Sequence, residues 1–76
     1  MIEVIGKPGC LWCTEAKKLL NSEGFEYTYR SLGDDYTVEE LKTRFPSVRT
    51  VPVVVIDSKF IGGYNELTDY IRLQKV

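Results

Sequence analysis

The chain has 76 residues, 43% of them hydrophobic and 28% charged, with a formal net charge of -1. This length predicts one domain, residues 1–76, with a modest core and no room for a separate substrate domain. The charge balance lacks the basic excess that nucleic-acid or anionic-membrane binding calls for, and the longest apolar run, Val51 to Ile56, is broken by Pro52 and far too short to span a membrane.

Ile2 to Ile5 reads as a short first strand, and Gly6 to Gly9 breaks it. Cys10-Leu11-Trp12-Cys13 follows at once and runs into a helix whose inner face carries Ala16, Leu19 and Leu20, with Gly24 as its stop. Two residues between the cysteines set Cys13 one turn after Cys10, close enough for a disulfide to open and close within a fixed fold. Cys10 falls at the N-cap or in the first turn, where unpaired N–H groups and the helix dipole favour a thiolate, and Lys7 adds a positive charge nearby. Cys13 is expected to face inward. That pattern assigns Cys10 the attack on a substrate disulfide and Cys13 the resolution of the mixed disulfide.

Two other uses of the pair are weaker. A structural disulfide closing so short a loop removes little chain entropy. A zinc site needs about four ligands, whereas the chain has two cysteines and no histidine.

Phe25, Tyr27 and Tyr29 alternate with Glu26, Thr28 and Arg30, the period of a strand with one packed face, and the three aromatics read as core and sheet packing. Ser31 to Asp35 reads as a solvated loop. Thr37-Val38-Glu39-Glu40 has the form of a capping box, flanked by Tyr36 and Leu41 at staple positions, with Val38, Leu41 and Phe45 on the buried face and Pro46 as the stop. Val53 to Ile56 is a β-branched run, the mark of a strand covered on both faces. Asp57-Ser58-Lys59 then turns into Phe60-Ile61 as an antiparallel hairpin.

Gly62-Gly63 signals either a turn or a backbone that a ligand must approach closely. Asn65 is placed to cap a last helix with Leu67, Tyr70 and Ile71 inside and Lys75 near its end. The order β-α-β-α-β-β-α is that of an α/β layer fold.

These marks together carry a family resemblance. Lys7-Pro8-Gly9-Cys10 with Cys13, then Thr50-Val51-Pro52, then Gly62-Gly63 before the last helix, make the chain resemble a dithiol glutaredoxin over essentially its whole length. The resemblance implies a thioredoxin-like fold, a small four-stranded mixed sheet flanked by three helices, with a cis peptide bond before Pro52. It implies a glutathione-dependent disulfide oxidoreductase that reduces protein disulfides and glutathione mixed disulfides. By the same likeness, Thr50 and Val51 border the cysteinyl part of glutathione, and Gly63, Tyr64 and Asn65 receive its γ-glutamyl end. Trp12 is either a wall of that groove or core packing, and Lys7 either meets the glycine carboxylate or favours the Cys10 thiolate.

Leu11 and Trp12 replace the Pro-Tyr common between the two cysteines of the family. Asn65 replaces a common acidic residue, whose charge Glu66 can supply; Lys42 and Arg49 are candidates for a basic contact carried by the second helix. The partners implied are glutathione as reducing co-substrate and disulfide-containing or glutathionylated proteins, ribonucleotide reductase among them. A monomer with no bound metal is expected. The catalytic type of the thiols and the lack of a visible secretion signal predict the reducing cytoplasm. Two alternatives are an electron donor reduced by thioredoxin reductase, and a dimer holding an iron-sulfur cluster with glutathione; Cys13 and Leu11 argue against the second.

Overall fold

The computed structural model describes residues 1–74, so Lys75 lies outside the described residues. Its elements run β1 (Ile2–Gly6), α1 (Leu11–Ser22), β2 (Tyr27–Ser31), α2 (Val38–Arg44), β3 (Val53–Ile56), β4 (Lys59–Gly62) and α3 (Tyr64–Gln74). The four strands form one mixed sheet in the order β2-β1-β3-β4. α1 carries the chain from β1 to its parallel neighbour β2, while β3 pairs antiparallel with both β1 and β4.

Alternation along the central strands builds two cores. Ile2, Val4, Val54 and Ile56 point to one face and pack with Ala16 and Leu20 of α1 and Leu67 and Ile71 of α3. Ile5, Val53 and Val55 point to the other and pack with Leu41 of α2, Tyr36, Phe45 and Val51. The unbroken Val53–Ile56 run is thus buried on both faces, each side chain gaining roughly 1.5–3 kcal/mol from leaving water.

Helix ends follow their local chemistry. α1 stops in a Schellman arrangement: the Gly24 N–H donates to Asn21 O at 3.2 Å and the Phe25 N–H to Leu20 O at 3.0 Å, with Gly24 at φ 77°. Phe25 therefore belongs to the helix exit, and β2 begins at Tyr27. At α2 the capping box is complete, with the Glu40 N–H donating to Thr37 Oγ1 at 3.0 Å and the Thr37 N–H to Glu40 Oε1 at 2.9 Å. Val38 is 52% exposed, which corrects its reading as a core residue: it shares the face of Leu41, but there it lines a solvent-open concavity with Leu32 and Val48 instead of the closed core.

Further departures sit at strand ends and the turns beside them, among them Ser31, which is the last residue of β2 and not the first of the loop. Gly6 is the last residue of β1, and Lys59 the first of β4. The 31–35 loop is tied by a Ser31 N–H donated to Asp35 Oδ2 at 3.1 Å. Asp57 and Ser58 alone make the hairpin turn, at φ 50° and 68°, the left-handed pair that matches the twist of two-residue hairpins. Among the described residues no helix is long and apolar enough to cross a membrane.

Candidate active site

The thiols stand where β1 hands the chain to α1. Cys10 is the N-cap of α1, with φ -91° and ψ 115°, and its sulfur accepts the Cys13 N–H at 3.2 Å. A sulfur in the place of the usual capping oxygen thereby meets one of the orphan N–H groups of the first turn. From there it faces Val51 O at 4.0 Å. Cys10 is half-buried and Cys13 only 1% exposed, both as free thiols.

Cys13 turns inward because position 13 lies on the face of α1 that carries Ala16 and Leu20 onto the sheet. Burial, and next its contact with Cys10, push the Cys13 thiol up to about 11 from an ordinary 9.0; the Lys7 backbone N–H and the Lys7 charge oppose this. Its floor is Gly6. A Cβ on that residue would come within 2.9 Å of Cys13 Sγ and 2.3 Å of Tyr29 Oη, so the missing side chain is what lets the thiol and the phenol settle there.

Opposite Cys10 runs an open groove of about 370 Å³, lined by Trp12, Thr50, Val51, Pro52, Gly63, Tyr64, Asn65 and Glu66. One wall is the cis Val51-Pro52 peptide leading into β3. The other is the start of α3. A bulge precedes that start: Val54 pairs with Gly62 and Val55 with Phe60, which leaves Ile61 unmatched. Gly62 sits at φ 135°, and a Cβ there would lie 2.4 Å from Glu66 Cγ and displace that exposed side chain.

The cap of α3 differs from the sequence reading. Asn65 sits inside the helix, and the residue before its first turn is Gly63, whose N–H donates to Glu66 Oε1 at 2.8 Å. Glycine has no side chain with which to cap, so the third helical residue reaches back instead. Those backbone N–H contacts hold the Glu66 carboxyl below its ordinary value.

Trp12 is 55% exposed and its ring packs on Tyr64 at 5.1 Å between centroids, so it forms a wall of the groove. Lys7 is not in this groove. It lines an adjoining concavity of about 460 Å³ together with Lys42, Arg49, Thr50 and Val51, and Arg49 also lines a second one with Thr50, Pro52, Gly63 and Glu66.

Residues 2–61 match the family model described as Glutaredoxin. The chain belongs to the glutaredoxin family. A glutaredoxin of Haemophilus influenzae is 37% identical over 81 residues, covering 97% of this chain and 90% of that protein. The hybrid peroxiredoxin hyPrx5 of the same organism is 41% identical over 70 residues, and there the match covers 91% of this chain but only 28% of the relative. Among solved structures, a buckwheat glutaredoxin-glutathione complex superposes with a TM-score of 0.77 at 29% identity, over 97% of this chain and 70% of that one. As a glutaredoxin, the chain is a thiol-disulfide oxidoreductase of thioredoxin-like fold, and its Cys10-Cys13 motif is of the dithiol type.

Two residues of this glutaredoxin's site escaped the sequence reading. Gly6 looked like a strand breaker and Tyr29 like a packing aromatic. Their meeting over Cys13 depends on the parallel register that sets Val4 beside Tyr29 and Gly6 beside Ser31, which no local pattern encodes. The capping role of Glu66 was legible in principle, because a glutamate three residues after a helix-start glycine occupies the reach-back position.

Proposed function

We propose that this protein reduces protein disulfides and glutathione mixed disulfides with glutathione as its reductant, acting as a monomer in the reducing cytoplasm. The observation that carries the reading is the Cys10 sulfur: an N-cap acceptor of an N–H at 3.2 Å, directed at Val51 O on the edge of an open groove. An N–H aimed at sulfur is a better partner for a thiolate than for a thiol. Cys10 Sγ attacks one sulfur of the substrate disulfide and the other leaves as a thiolate. Cys13 then displaces the bound substrate by attacking Cys10 Sγ, and two glutathione molecules in succession return the pair to the dithiol.

In this reading glutathione lies along the groove. The Val51 main chain pairs with its cysteinyl residue beside Thr50 and Pro52, and Trp12 on Tyr64 walls the sulfur end. The N–H groups of Tyr64 and Asn65, first in α3, receive the γ-glutamyl carboxylate next to Gly63, and Glu66 faces the amine. Lys7, Lys42 and Arg49 suit the glycine carboxylate in the adjoining concavity. The monomer is supported by a groove and thiol pair built entirely from one chain. Ribonucleotide reductase and, given the match to a hybrid peroxiredoxin, a peroxidase disulfide are candidate acceptors.

The test is NADPH consumption during turnover of a small glutathione mixed disulfide, coupled either to glutathione with glutathione reductase or to thioredoxin reductase alone. Turnover in the glutathione arm, abolished by Cys10→Ser, is expected. Turnover confined to the thioredoxin reductase arm would mean that the groove serves another reductant.

A further inference from the structure

Cys13 must lose its proton to resolve a mixed disulfide, yet it is 1% exposed and its thiol is pushed up to about 11. A thiolate with so little water contact needs donors from the protein. The Lys7 backbone N–H acts in that sense, favouring the charged form. A second donor stands across Gly6, where the point a Cβ would occupy lies 2.3 Å from Tyr29 Oη and 2.9 Å from Cys13 Sγ. The phenol is brought there from β2, in register with Val4, and is held by Lys17, whose Nζ lies 4.1 Å from the ring centroid. Lys17 is one turn beyond Cys13 on α1, so the same helix places both the thiol and the cation that clamps the ring.

We infer that Tyr29 is a positioning residue for the resolving step: its O–H donates to the Cys13 sulfur as the thiolate forms. The inference rests on the dithiol mechanism proposed above. Cys13 gives its proton to water, its sulfur bonds to Cys10 Sγ, the Cys10-substrate bond breaks, and the substrate leaves as a thiolate that takes a proton from water. Two electrons pass from the protein dithiol to the substrate, and Tyr29 keeps its own proton throughout. Burial first, then the charges of Cys13 and Cys10, raise the phenol above its ordinary value, which keeps it a donor across the working range. The other charged or titratable groups facing the pair are Lys7 from the β1-α1 loop, Lys17 of α1 and Tyr27 of β2.

The test is a single-turnover reaction with one equivalent of a chromogenic aromatic disulfide. The first release of chromophore reports attack by Cys10, and the second reports resolution by Cys13. Both phases are followed against pH in the wild type and in Tyr29→Phe, which retains the ring and its Lys17 contact. A donated hydrogen bond to a charged acceptor is worth enough to slow the second phase about tenfold and to raise its pH midpoint by about one unit, with the first phase unchanged. An unchanged second phase in rate and midpoint would overturn the inference, as would equal slowing of both phases, which marks a structural defect. Absence of the first phase in the wild type would sink the dithiol mechanism itself and this inference with it.

Discussion

Adding one methyl group at Gly6 tests the packing that places the two sulfurs. In Gly6→Ala the new Cβ lies 2.3 Å from Tyr29 Oη, 2.9 Å from Cys13 Sγ and 3.0 Å from Cys13 Cβ. Gly6 ends a strand paired on both sides of its length, and Cys13 is anchored in a helix packed on the sheet, so neither backbone can yield cheaply. Overpacking of this kind costs about 1–3 kcal/mol. At about 2 kcal/mol the melting temperature of a domain this size falls by roughly 10 °C. The worst contact is with the phenol oxygen, so removing that oxygen relieves part of the cost. Urea melts of the wild type, Gly6→Ala, Tyr29→Phe and the double variant form a cycle with a coupling of about 1 kcal/mol, the double variant being more stable than the two single costs add up to. Additive costs, or a neutral Gly6→Ala, would refute the close approach of the three residues over Cys13.

Three other outcomes follow from separate parts of the molecule. Ser58 holds φ 68° in the β3-β4 turn, where an L side chain is disfavoured, so Ser58→Gly raises the urea midpoint by about 1 kcal/mol of stability with an unchanged slope; a lower midpoint would contradict the turn assignment. Thr37→Ala removes the hydroxyl that accepts the Glu40 N–H and costs about 1 kcal/mol, read in the same melts, whereas Thr37→Ser costs a fraction of that. Because Cys13 is held near 11 in the folded chain against 9.0 ordinarily, its stability contribution is fully present below pH 9 and is lost as pH rises toward 11. About 2–3 kcal/mol disappears over that window in the wild type but not in Cys13→Ala, so parallel pH-stability curves for the two would rule out a buried protonated Cys13.

Local signals were strong where a few neighbouring residues set the outcome. The capping box at Thr37, the stop at Gly24, the double-sided Val53–Ile56 strand and the N-cap position of Cys10 all depend on hydrogen bonds or burial within a few residues, and each is found at its expected place. Where the local signal had two solutions, the wrong one could be chosen. Asn65 is a good capping residue by type, yet α3 starts at Tyr64, so Asn65 falls inside the helix and Glu66 reaches back to the Gly63 N–H. Val38 fits a helical apolar period and shares the face of Leu41, but that face opens at Val38 into a solvent-open concavity, so the period alone does not bury it.

The chain read in order was sufficient for the element order, the thiol pair and the stretches that line the groove, because period, capping and turn chemistry act over distances of one or two turns. Three-dimensional packing alone settled which concavity beside Val51 each residue lines: Trp12 and Tyr64 stack together in the groove, while Lys7 joins Lys42 in the adjoining one. It also made Gly6 a site residue. A missing side chain has meaning only when something fills the space, and here the parallel pairing of β1 with β2 and the seating of α1 bring a phenol and a buried thiol to the same vacant point.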